Sequence, residues 1–217
     1  MELQNNSMPK IGDQAPDFYA LTTTGSIEFS EFNKGSWVVF FSHPADFTPV
    51  CTTEMSAFAK EHDFFRKHKT KLLGLSIDSI HSHLAWVNNV YEKTGILFDF
   101  PIIADIDMKV SRLYGMIHPG ASNTATVRTV FFIDHSGLVR LIMYYPLNVG
   151  RNIEEIKRVL VALQTADENK CVMPANWKKG DMVIIPPPKT ISEMNDRLEM
   201  ESNNTEKTDF YLIKKHL

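Results

Sequence analysis

The chain has 217 residues, 43% of them hydrophobic and 23% charged, with a formal net charge of -3. That composition suits one globular core with a small appendage and lacks the basic excess of a nucleic-acid-binding surface. No apolar stretch approaches the length of a membrane span, and the opening "MELQNNSMPKIGD" lacks the basic-then-apolar order of a secretory signal.

The first strong element is "WVVFFS" (Trp37 to Ser42), an apolar run of strand length that reads as a buried central strand. The next stretch, "TPVCTTEMSAFAKEHDFFRKHK", places Met55, Phe58, Ala59, His62 and Phe65 at helical spacing and predicts a helix with one core face. "KLLGLSID" (Lys71 to Asp78) is a second buried strand. A second helix follows from about Ser79 to Lys93, with Leu84, Val87, Val90 and Tyr91 expected to face inward. "TVFFIDHSGLVRLIMYY" reads as a hairpin turning at "DHSG". "NIEEIKRVLVALQTADE" is a third helix, with Ile153, Ile156, Leu160 and Leu163 on one stripe.

This order predicts an α/β domain of thioredoxin-like fold, a mixed central sheet flanked by helices, over residues 1–170. Residues 171–217 are expected to form a small C-terminal extension, too short for an independent core and associated with the main domain or a partner chain. Its triple proline at "IPPPK" reads as a stiff connector. Asn5 and Asn203 fit the N-glycosylation acceptor pattern, which reads as chance without a secretory signal.

The chain has two cysteines, Cys51 and Cys171, too few for a disulfide framework and in keeping with a reducing, cytoplasmic compartment. Cys51 lies in "HPADFTPVCTTE". Thr48 stands where an N-cap belongs and Pro49 where the first helical residue belongs, so Cys51 falls in the first helical turn. There its sulfur meets unsatisfied backbone N–H groups and the positive end of the helix dipole, which favour the reactive thiolate. Glu54, one turn on, opposes that charge and calls for a nearby cation. Arg128, which opens the apolar strand "RTVFFID", is the candidate: its planar fork can pair with Glu54 and donate to the sulfur.

The rival roles for Cys51 fit less well. A metal site needs further ligands, and only His43 is close in sequence. His81 and His83 in "HSH" are expected to be solvated rather than ligating. A thioredoxin-type redox pair would need a second cysteine three residues away. The neighbourhood therefore favours a reactive thiolate over a buried filler.

"PADFTPVC" resembles the peroxiredoxin signature Pro-x-x-x-Thr-x-x-Cys, met by Pro44, Thr48 and Cys51. "IGDQAPDF", "RTVFFID" and "MPANWKKGD" resemble further segments of that family in the same order, and "SHPADFTPVCTTE" with the long tail is most similar to its 1-Cys members. The resemblance implies that Cys51 attacks the peroxide, that Thr48 and Arg128 hydrogen-bond it, and that Pro44 shields the thiolate. It further implies that His43 lines the pocket and that Glu54 orients Arg128. The implied enzyme reduces hydrogen peroxide and small organic hydroperoxides, passes through a Cys51 sulfenic acid, and is recycled by an external thiol of glutathione or thioredoxin type. It needs no cofactor or metal and is expected to be a homodimer. Two alternatives stay open: a 2-Cys mechanism resolving through Cys171, and a redox sensor or holdase without turnover. Against the first, "CVMPANW" sets Cys171 three residues before Pro174, whereas 2-Cys relatives carry the resolving cysteine directly before the proline.

Overall fold

The computed structural model describes residues 8–200 and 204–217, so Asn5 and Asn203 lie outside the described residues. The chain divides into two compact units, residues 1–153 and 154–217. The first holds a seven-stranded mixed sheet. Its strands are β1 (Tyr19–Thr22), β2 (Gly25–Glu28), β3 (Trp37–Ser42), β4 (Thr70–Ser76), β5 (Ile102–Ala104), β6 (Arg128–Ile133) and β7 (Val139–Tyr145). They run in the order β2-β1-β5-β4-β3-β6-β7. β3, β4 and β5 are parallel, while β6 and β7 complete the sheet as the expected antiparallel hairpin.

β3 and β6 are buried along their whole lengths, as befits strands covered on both faces. Their alternating side chains divide between two layers. Val38, Phe40, Phe131 and Ile133 join Phe29 and Tyr114 in one apolar cluster. Phe41 points the other way and stacks on Phe58, with ring centroids 4.1 Å apart.

The remaining elements of this unit are helices α1 (Phe29–Asn33), α2 (Pro49–Lys60), α3 (His62–Lys67), α4 (Ile80–Thr94) and α5 (Lys109–Leu113). The single helix expected after β3 is broken at Glu61, where ψ rises to 5°. The Glu61 N–H is shared between the carbonyls of Ala57 and Phe58, and the bend still brings Phe65 to 6.2 Å from Phe58. Helix α4 starts at Ser79, whose side chain accepts from the Ser82 N–H, and ends at Gly95 in the left-handed region (φ 71). Its inward face differs from expectation. Val90 is buried as expected and Val87 is half-buried, but Leu84 and Tyr91 are exposed, and His83 and Trp86 are buried in their place. A histidine can hold that position because both its ring nitrogens find polar partners inside.

The second unit begins with α6 (Ile153–Asn169), where Ile156 and Leu160 are fully buried and Leu163 half-buried. A small three-stranded antiparallel sheet follows, β8 (Val183–Ile184), β9 (Thr205–Asp209) and β10 (Leu212–Lys215), with α7 (Ile191–Glu199) between β8 and β9. Beyond α6, Cys171, Trp177, Val183 and Ile213 are buried among the described residues. Among the described residues no helix is long and apolar enough to cross a membrane.

Candidate active site

The C-terminal end of β3 passes through a short loop into α2, and the residues singled out from the sequence gather there. Thr48 is the N-cap residue of α2, with extended backbone, and Pro49 is its first helical residue. The Thr48 hydroxyl does not cap, however: it donates to the Ala45 carbonyl at 2.9 Å. The loop holds Phe47 at φ 55, an unfavourable setting for a bulky side chain. Pro44 is half-buried. Cys51, in the first turn of α2, is fully buried.

Arg128 reaches the same spot from the start of β6. Antiparallel pairing of β3 with β6 sets Phe41 opposite Val130, so the beginning of β6 lies beside the end of β3. Arg128 shares its strand face with Val130 and Phe132, the side of the sheet that carries Phe41 and α2. Its Nη1 donates to Cys51 Sγ at 3.3 Å and to Glu54 Oε2 at 2.8 Å. Its Nε and Nη2 both donate to the Leu147 carbonyl. The guanidinium is thereby fixed by two partners and presents one nitrogen to the sulfur.

Sequence reasoning missed Arg151. Its backbone N–H and Nε donate to Glu54 Oε1 at 2.8 and 2.9 Å, and its Nη2 donates to Glu54 Oε2 at 2.7 Å. Nη1 donates to the carbonyls of Ser42 and Thr129. The guanidinium carbon sits 5.3 Å from the Phe41 ring and 5.7 Å from that of Phe58. Burial pushes the Glu54 carboxyl upward, but the charge and hydrogen bonds of Arg151, then the charge of Arg128, outweigh it and hold Glu54 below its usual range. Two guanidinium cations therefore share one carboxylate beside Cys51. The signal in the sequence was a cation just before the first turn of a helix, where the dipole disfavours it.

His43 is fully buried at the end of β3. Its Nε2 bonds Asp46 Oδ1 at 3.0 Å. Burial pushes its pKa down, Asp46 opposes, and the net shift is downward, helped by His83 and Arg151. His83, expected to be solvated, is also fully buried and bonds the same carboxylate, while His81 is exposed as expected.

Cys171 lies just past α6. Its sulfur donates weakly to the Thr165 carbonyl at 3.8 Å, and burial pushes its pKa up against the opposing charge of Lys215. Both cysteines are free thiols. A cavity of about 320 Å³ lined by Phe32, Ser36, His62, Lys71 and Phe100, among others, shares no residue with the Cys51 cluster.

Residues 11–142 match the AhpC/TSA family, and residues 162–199 match the C-terminal domain of 1-Cys peroxiredoxin. Peroxiredoxin 2 of Caldanaerobacter subterraneus subsp. tengcongensis is 52% identical over 208 residues, covering 96% of this chain and 93% of that protein. The structure of a yeast mitochondrial 1-Cys peroxiredoxin, described as resolving its thiol through glutathione/thioredoxin systems, superposes with a TM-score of 0.84. It is 41% identical, with 97% of this chain and 100% of that one covered. Peroxiredoxin 6 of Arenicola marina superposes with a TM-score of 0.82 at 33% identity, covering 95% of this chain and 97% of its own.

Proposed function

The chain belongs to the AhpC/TSA family, as a thiol peroxidase whose tail is of the 1-Cys type, and on that premise we propose how its site divides the work. The Cys51 thiolate attacks one oxygen of a hydroperoxide. An S–O bond forms as the O–O bond breaks, and the departing oxygen leaves as water or an alcohol after taking a proton. Arg128 hydrogen-bonds the peroxide and stabilises charge building on the departing oxygen, joined by Thr48 once its hydroxyl turns from the Ala45 carbonyl to the peroxide. Glu54 orients Arg128, Pro44 shields the thiolate, and His43 lines the pocket. The product is a Cys51 sulfenic acid. Two external thiols then reduce it, one adding to the sulfur with loss of water and the second releasing Cys51 and a disulfide.

One observation carries this reading: Arg128 Nη1 lies between Cys51 Sγ and Glu54 Oε2. Arg128, Arg151 and Glu54 together leave one positive charge uncompensated, a setting made for an anion at the sulfur.

Hydrogen peroxide and small organic hydroperoxides are the substrates of this reading. A glutathione- or thioredoxin-type thiol is the reductant, by analogy with the yeast neighbour. A cytoplasmic homodimer is part of the same reading. The test is peroxide consumption by the purified protein against a panel of thiol reductants, alongside Cys51→Ser. Steady turnover that vanishes in the variant, with the fold kept, supports the assignment. Substantial turnover in Cys51→Ser overturns it, and a single oxidation per chain with every reductant points to a sensor.

A further inference from the structure

The buried triad His43, Asp46 and His83 has a protonation state that its hydrogen bonds dictate. His83 Nε2 lies 3.1 Å from the Ile103 carbonyl, which only accepts, so that nitrogen carries hydrogen. His83 Nδ1 lies 2.8 Å from Asp46 Oδ2 and 3.0 Å from Oδ1. Asp46 also faces His43 Nε2 at 3.0 Å, and these donors together hold it well below the ordinary carboxylate range despite its burial. An ionised carboxylate accepts only, so His83 Nδ1 and His43 Nε2 must both donate. His83 is then an imidazolium, its charge offset by Asp46. His43 is neutral with its proton on Nε2, in keeping with the downward push that burial gives its pKa. Two further charges act on this unit: Asp78, whose Oδ2 accepts from the Asp46 N–H, and Arg151, whose charge acts on His43.

That arrangement leaves His43 Nδ1 bare. It is fully enclosed and has no hydrogen-bond partner among the described residues. It points away from Asp46, on the far side of the ring, in a side chain within the electrostatic reach of Arg151. A divalent ion between the three side chains would need His43 Nε2 bare. The ring would then carry its proton on Nδ1, where nothing accepts it, so the triad is built for protons rather than for a metal.

We propose that Asp46 and His83 are positioning residues: the His83 imidazolium fixes the Asp46 carboxylate, which holds His43 in its Nε2–H tautomer with the Nδ1 lone pair presented as an acceptor for a hydroperoxide O–H. This rests on the reading of Cys51 as the peroxide-reactive thiol with His43 in its pocket. Where an aspartate holds a catalytic histidine that moves a proton, its loss costs up to about 10⁴ in rate. His43 here only accepts a hydrogen bond, so the loss should be about tenfold, the worth of one such bond.

Nitrogen-detected imidazole NMR of the full chain at neutral pH tests this without relying on activity, with assignments from His43→Asn and His83→Gln spectra. The expected spectrum has both His83 nitrogens protonated, and His43 protonated at Nε2 and bare at Nδ1. A bare nitrogen on His83, or a tautomer mixture on His43, overturns the proposal even if Cys51 proves fully active. In Asp46→Asn, the amide can turn its N–H toward a histidine, so His43 should become a tautomer mixture and peroxide reduction should slow about tenfold. A folded Asp46→Asn protein with wild-type rate and an unchanged His43 signature equally overturns it. If Cys51→Ser retains turnover, the underlying peroxidase reading has failed, whatever the NMR shows.

Discussion

Replacing Arg128 by lysine keeps the charge and removes the fork. In the wild-type site the guanidinium spans two partners on opposite sides: the Leu147 carbonyl takes Nε and Nη2, at 3.1 and 2.6 Å, while Nη1 serves Cys51 Sγ and Glu54. A single ammonium cannot reach both sides. Turned toward Glu54 it abandons Leu147, and turned toward Leu147 it abandons the sulfur. Losing one donor aimed at charge that develops in the transition state costs about 10²–10³ in rate. The fold should fare better. Glu54 keeps three hydrogen bonds from Arg151, so the buried carboxylate stays paired and the loss of about 3–5 kcal/mol expected for an abandoned charge is avoided. What remains is a buried group short of a partner, worth about 1–3 kcal/mol. Competition with a haem peroxidase for hydrogen peroxide gives the second-order rate constant, and thermal unfolding gives the stability. The reasoning fails if folded Arg128→Lys reacts within threefold of wild type.

Cys171→Ser should turn over within about twofold of wild type with a small thiol reductant, since burial makes Cys171 a poor nucleophile at neutral pH; a stoichiometric Cys51–Cys171 disulfide on non-reducing gels, lost together with turnover in the variant, would show the opposite. Glu54→Gln should destabilise the protein by about 3–5 kcal/mol at pH 7, because two buried arginines lose their counter-charge. Glu54 has a depressed pKa in the folded state, so its stabilisation is full above the unfolded-state value of about 4.3 and fades as pH falls through the folded value. The gap in melting temperature between wild type and Glu54→Gln should therefore narrow in acid, and a gap constant from pH 7 down to pH 3 would rule this out.

The parts of the molecule legible in the sequence are those set by local pattern. "WVVFFS" announced β3 through its unbroken apolar run, and "TPVC" announced the start of α2 through proline at the first helical position. The pairing of Arg128 with both Glu54 and Cys51 followed from asking what cation a carboxylate one turn from a thiol requires. Arg151 escaped because its partner lies 97 positions away and its own surroundings, "NVGRNIEE", look like an ordinary solvated loop. The inward face of α4 was misread for a related reason. Leu84 and Tyr91 advertise hydrophobicity, whereas His83 is admitted to the interior only by Asp46 and the Ile103 carbonyl, partners that the residues of α4 alone do not disclose. The hairpin of β1 and β2 was passed over because "YALT" and "GSIE" are four-residue strands, too short to show alternation.

The joint between β3 and β6 is closed by hydroxyls. Ser42 Oγ donates to the Val127 carbonyl at 2.6 Å, shares a 2.8 Å hydrogen bond with Thr129 Oγ1, and accepts from the Thr129 N–H. This bolt acts as a length gauge for the gene as much as for the protein. Inserting or deleting one codon between Thr129 and Ile133 would shift the Arg128 end of the strand by about 3.3 Å and turn its side chains to the opposite face. The arginine would then face the Phe40 layer and the thiol would lose its donor. The loop 117–125, by contrast, lies upstream of the bolt and carries none of these bonds. Length variation among descendants of this sequence should collect in that loop and be absent from the segment between Thr129 and Ile133.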